Sequence, residues 1–148
     1  MRGKLTGAAL ASAVTLVGAW EGLRLVPYDD IVGVRTVCYG ETREIEERRY
    51  TKAECDAMLA RGLQDFDAGL VKCIRRDIPN QMRVALVSWA YNVGTGAACR
   101  STLVRKVNAG DLVGACNELP KWNKAGGVTV RGLTNRRAEE RKLCLSAL

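Results

Sequence analysis

The 148-residue sequence has no histidine, one phenylalanine and three prolines. Without imidazole it lacks the commonest biological metal ligand and the usual near-neutral base. None of the six cysteines, at 38, 55, 73, 99, 116 and 144, stands at the short spacing of a zinc site. A His- or Cys-based metal centre is therefore not expected, and no thiol has an imidazole to activate it as a nucleophile. No other cofactor motif is present. The sequence has no long basic tail and no helix-turn-helix or RNA-binding signature, so nothing marks it as a nucleic-acid binder. It also lacks repeats, linkers and low-complexity stretches.

What is present suits one folded domain. The residues are 47% hydrophobic and 26% charged, enough apolar content to offset chain entropy. Lys and Arg number 23 against 16 Asp and Glu, a formal charge of +7. That excess serves solubility or favours an anionic partner such as nucleic acid, lipid or a cell-wall polymer. An even cysteine count in a small domain predicts three disulfides and an oxidising compartment, against the alternative of six buried thiols in the cytosol.

The N-terminus opens Met1-Arg2-Gly3-Lys4, followed by an uncharged stretch over residues 5–20. Sixteen helical residues span about 24 Å, short of a hydrocarbon core of about 30 Å. Three readings stand: a cleaved signal, a weak releasable anchor, or the first amphipathic helix of the domain. Leu10, Val14, Val17 and Glu21 fall on one helical face, so residues 6–23 are expected to be helical, ending near Gly22.

Further along, Pro27 forbids helix, and residues 28–50 mix valines with Gly33 and Gly40, predicting a small hairpin or sheet. Thr51 and Glu54 form a capping box opening a long helix to about Lys72. Pro79 suits the start of a helix that is apolar almost all round, through Trp89 and Val93, and is expected to be central. Ser101 and Asp111 cap two short helices, Gly126-Gly127 is a turn, and Thr134 or Asn135 begins the last helix. The fold class is α+β: mostly helical, two-lobed, with a small N-terminal β element and a long connecting helix.

Glu21 closes an apolar stripe at a helix C-terminus. Burial and the negative helix end both disfavour its charge, as a general acid requires. Asp30, nine residues on in a Gly-flanked segment, is expected to be solvated and ionised; Thr36 follows. Two carboxyls in unlike environments are the requirement for glycoside hydrolysis. Each also has a plain structural role, Glu21 as a helix-end acid paired with an arginine and Asp30 as a turn residue.

The combination Glu21-x8-Asp30-x5-Thr36, with EGLRL, PY, VG and YGET in place, resembles the phage-type lysozyme (endolysin) family, glycoside hydrolase family 24. The likeness continues through TKAECDAML, ALVSWAYNVGTG, STLVRKVNAGD, KWNKAGG, GLTNRR and AEER, from about residue 6 to the C-terminal helix. It implies a cleft between a small β-containing lobe and a helical lobe, in a monomer acting on bacterial peptidoglycan at the bond between N-acetylmuramic acid and N-acetylglucosamine. By the same resemblance Glu21 is the proton donor, Asp30 the second carboxylate, and Thr36 positions water or sugar. Arg136 or Arg137 corresponds to a basic residue beside the acid, and Asn92 and Trp122 are candidate substrate-binding or supporting residues; packing under the last helix is the alternative for Trp122. Many relatives have Gly-His-Thr where this chain has Gly40-Glu41-Thr42, and Glu41 is expected to pair with a Lys or Arg instead. On this fold the cysteines pair 38–55, 73–99 and 116–144.

The N-terminus also resembles the signal-anchor-release subset of the family. That implies export to the host periplasm, with transient tethering to the inner membrane that holds Glu21 away from Asp30 and Thr36. Rival readings are a lytic transglycosylase, a non-catalytic wall-binding protein and a basic nucleic-acid binder.

Overall fold

A computed structural model describes residues 3–148. Helix α1 (Gly7–Glu21) leads into an antiparallel hairpin of β1 (Arg24–Asp29) and β2 (Arg35–Cys38). The long α2 (Lys52–Val71) and the central α3 (Asn80–Val93) follow. Three short helices come next: α4 (Thr95–Cys99), α5 (Thr102–Asn108) and α6 (Leu112–Cys116). A 3-10 turn at Leu119–Lys121 and a second hairpin, β3 (Lys124–Ala125) with β4 (Val128–Thr129), lead into α7 (Arg131–Ser146). The class is mostly helical α+β.

Capping chemistry explains three of the seven helix starts among the described residues, those of α2, α5 and α6. The Thr51 hydroxyl accepts from the Glu54 N–H while the Glu54 carboxylate accepts from the Thr51 N–H, closing both halves of the box. Ser101 caps α5 through the Val104 N–H, and Asp111 caps α6 through the Gly114 N–H. Helix α3 is buried continuously from Met82 to Ala90 and packs against α1, α2 and α7. On α1 the buried face is Ala13 and Val17, flanked by half-buried Leu10 and Val14.

Two boundaries and one short hairpin differ from the sequence expectations. Strand β1 begins at Arg24, ahead of the expected Tyr28, and runs through Pro27. A two-stranded sheet tolerates the missing N–H, and the register shifts between Arg24 and Tyr28. Helix α7 begins at Arg131, three residues before Thr134; its N-cap is Val130, which has no side-chain cap to signal it. The Gly126-Gly127 turn joins a hairpin of two residues per strand, too short for an alternating pattern to reveal.

The structure joins Cys38 to Cys55, Cys73 to Cys99 and Cys116 to Cys144. The first ties the hairpin to α2, the second closes the end of α2 onto α4, and the third staples α6 to α7. Among the described residues no helix is long and apolar enough to cross a membrane.

Candidate active site

Helix α1 delivers Glu21 from its last residue. Gly22 ends the helix at φ 76°, a left-handed conformation that glycine adopts without strain, and returns its N–H to the Gly18 carbonyl. Gly18 lets Tyr39 lie against the helix, since a Cβ there would come within 3.2 Å of the ring. Glu21 opens into a cavity of about 480 Å³ between the end of the hairpin, α2 and α3, lined also by Tyr39, Glu41, Arg43, Asp65, Phe66 and Tyr91. A larger hollow of about 960 Å³ continues from it along α2 and the 41–50 loop, sharing Glu41, Arg43, Met58 and Asp65.

The surroundings of Glu21 differ from the dry apolar pocket that its stripe suggests. Its side chain is 25% exposed and its Oε1 accepts from Arg136 Nη1 at 2.7 Å. The helix C-terminus therefore meets a guanidinium carried over from α7. Arg136 is the arginine at the acid. Arg137, its neighbour, turns about 100° away around the helix and is fully buried against Glu140, so it does not reach Glu21.

Behind Arg136 the polar groups form one cluster. Glu140 Oε2 accepts from the Ser88 hydroxyl at 2.6 Å and from Arg136 Nε at 3.3 Å, while its Oε1 lies 2.7 Å from Arg137 Nε. Burial pushes the Glu140 carboxyl up and the Arg137 guanidinium down from their ordinary ranges. Tyr91, on the cavity wall, is pushed up to about 12, first by burial and then by the negative charge of Glu21. Tyr39 is raised by burial and by the hydrogen bond it donates to Asp56 at 2.6 Å.

Asp30 sits in the turn between the strands. Its Oδ1 accepts from the Val32 and Val34 N–H groups at 3.0 and 2.8 Å, a local ring that its short carboxylate can close. Thr36 is buried on β2 and donates its hydroxyl to the Val34 carbonyl at 2.9 Å. Asp30 and Thr36 thus share Val34 as a partner. Neither is among the residues lining the cavity at Glu21.

The remaining candidates divide. Glu41 pairs with Arg43 at 3.4 Å and accepts from the Thr42 and Arg43 N–H groups, so the acid in place of the family's histidine closes its own loop. Trp122 is half-buried and packs edge-on against buried Trp89, ring centres 5.3 Å apart. Asn92 is exposed near the C-terminus of α3, one residue from Tyr91. Sequence reasoning missed Ser88 and Glu140. The available signal was an acid three and four residues after two adjacent arginines, a spacing that pairs side chains on a helix.

Comparison with known proteins adds an independent line. A family model described as Phage lysozyme matches residues 18–140. The chain is 45% identical over 147 residues to a SAR-endolysin of Enterobacteria phage P21, covering 94% of this chain and 89% of that protein. It superposes on the muramidase domain of SpmX from Asticaccaulis excentricus with a TM-score of 0.85 and 28% identity, covering 97% and 99% of the two chains. The active form of the P1 phage endolysin Lyz gives a TM-score of 0.80 at 26% identity, covering 98% and 97%. Its secreted inactive form gives 0.61 at 23% identity, covering 91% and 94%.

Proposed function

We propose, because this chain belongs to the phage lysozyme family, that it is an endolysin whose Glu21, Asp30 and Thr36 hydrolyse the glycosidic bond between N-acetylmuramic acid and N-acetylglucosamine of peptidoglycan. Glu21 protonates the leaving oxygen. Asp30 supports the positive charge that builds on the sugar or activates water, and Thr36, whose oxygen retains lone pairs, orients that water. Arg136 holds Glu21 in place between turnovers.

One observation carries the reading: Glu21 ends its helix inside a cavity, with its carboxylate gripped by a guanidinium from the far end of the chain. A wall-binding module has no need of a carboxyl held this way. The test is clearance of outer-membrane-permeabilised Gram-negative cells by the parent and by Glu21→Gln. Removing the acid costs about a hundredfold to ten-thousandfold in rate, and the parent's fragments carry one added water. Undiminished lysis by the variant overturns the assignment. Fragments ending in an anhydro sugar assign the chain to the transglycosylases.

A second reading concerns delivery. Residues 5–20 carry no charge, and their helix runs directly into Glu21. The P21 relative's name, SAR-endolysin, supports the view that this chain is exported and first tethered at the inner membrane. Greater likeness to the active than to the inactive Lyz supports taking the present arrangement as the working one. Fractionation of expressing cells tests it: a membrane-bound, inactive pool is expected, and its absence removes this reading.

A further inference from the structure

The ionic cluster behind Glu21 does more than fill a core. Glu140, Arg137 and Ser88 are fully buried and Arg136 is 4% exposed. Each nitrogen of the Arg136 guanidinium has a separate task. Nε donates to Glu140 Oε2 at 3.3 Å, Nη2 donates to the Ser88 carbonyl at 3.1 Å, and Nη1 donates to Glu21 Oε1 at 2.7 Å. Two nitrogens are thus fixed from α3 and α7, and the third is aimed at the acid. Glu140 is itself held by the Ser88 hydroxyl and by Arg137. Taking these charges out of water is costly, and apolar side chains would join α3 to α7 without that cost.

The charge count explains what the cost maintains. Arg136 and Arg137 supply two positive charges; Glu140 and Glu21 supply two negative ones. When Glu21 holds the proton it is to donate, the cluster carries one net positive charge. Without Glu140 it would carry two, with nothing to offset Arg137 beside the acid. Resting on the reading of Glu21 as proton donor, we propose that Glu140 is a positioning residue for catalysis: it orients the Arg136 guanidinium toward Glu21 and balances Arg137, so that the acid can keep a proton beside a permanent cation.

The charged and titratable groups facing Glu21 are Arg136 from α7, Tyr91 from α3, Asp65 from α2, and Tyr39, Glu41 and Arg43 from the segment after β2. Those facing Glu140 are Arg136 and Arg137. The experiment measures kcat, KM and the full pH–rate profile on soluble peptidoglycan strands for the parent, Glu140→Gln, Glu140→Asp and Arg137→Met, with circular dichroism to establish folding and Glu21→Gln as control. Glu140→Gln is expected to keep KM within about twofold and lose kcat about tenfold at neutral pH, with the alkaline limb moved down by about one pH unit. Glu140→Asp, which keeps the charge, returns the limb toward its parental position. Arg137→Met removes a cation and moves the limb the other way, to higher pH.

A folded Glu140→Gln with parental kcat and profile overturns the proposal, as does a loss of kcat with unmoved limbs in both charge variants. Should Glu140→Gln not fold, the upward shift in Arg137→Met decides. Failure of both to fold assigns the cluster to stability alone and also overturns it. An active Glu21→Gln sinks the functional reading instead, whatever Glu140 does.

Discussion

The two carboxylates proposed for catalysis are held in opposite ways. Glu21 is fixed by a partner 115 residues away in sequence, itself anchored in a dry cluster between two packed helices. Asp30 is fixed by N–H groups two and four residues ahead of it, at a hairpin tip where Ile31 and Val32 are 103% and 76% exposed. The acid depends on the assembled fold, whereas the second carboxylate depends on one local turn. The contrast fits the roles proposed above, in which one carboxyl is held in a defined geometry and the other acts from the solvent side.

The largest expected effect separates the two sides directly. Arg136→Ala leaves Glu140 with one fewer cation and Glu21 with none of the contacts that the structure gives it through Arg136. Breaking a buried pair from one side costs about 3–5 kcal/mol, which urea denaturation will read along with a fall in lysis. Asp30→Asn keeps a side-chain oxygen for the same turn, so stability should change by less than about 0.5 kcal/mol while lysis falls. Equal destabilisation by the two variants would erase the distinction.

The disulfides sharpen it next. Cys38–Cys55 and Cys116–Cys144 close loops of 17 and 28 residues, the first joining the hairpin to α2 and the second α6 to α7. Chain entropy makes each worth about 3–4 kcal/mol. Replacing either pair by serine is therefore expected to lower stability by similar amounts in thermal melts. Only loss of Cys38–Cys55 frees the hairpin from α2, so only that variant should lose kcat at temperatures where it remains folded. A matching loss in the Cys116–Cys144 variant would mean that the α6–α7 staple also bears on the cleft.

The same division between local and long-range contacts governs what is legible in the sequence. Local signals are plain there: the Thr51–Glu54 box, the Ser101 and Asp111 caps, and the helix carrying Glu21 all follow from chemistry within a few residues. The start of α7 is not, because Val130 offers no cap, and β1 is hidden behind Pro27, which excludes helix but not an edge strand. At the site, the choice between Arg136 and Arg137 requires knowing which face of α7 meets α1 and α3. The stripe that ends at Glu21 announces burial, but it cannot announce the arginine that meets it. Trp122 meets Trp89, 33 residues away, a contact beyond the reach of any local pattern.

The smallest effect probes how dry the helical wall is. Tyr91 shares the cavity with Glu21, and burial, followed by the charge of Glu21, pushes its phenol up to about 12. Because the folded value lies above the ordinary value of 10, folding is favoured in full below pH 10 and loses this contribution as pH rises from there through about 12. In a Tyr39→Phe background, which removes the other raised phenol, phenolate absorbance should show one late ionisation near 12. Glu21→Gln should bring it down by a fraction of a pH unit, because burial remains and only the smaller electrostatic contribution is lost. A Tyr91 that ionises with the exposed tyrosines would mean that water reaches this wall, and the contrast between a packed helical side and a solvated hairpin tip would fail there first.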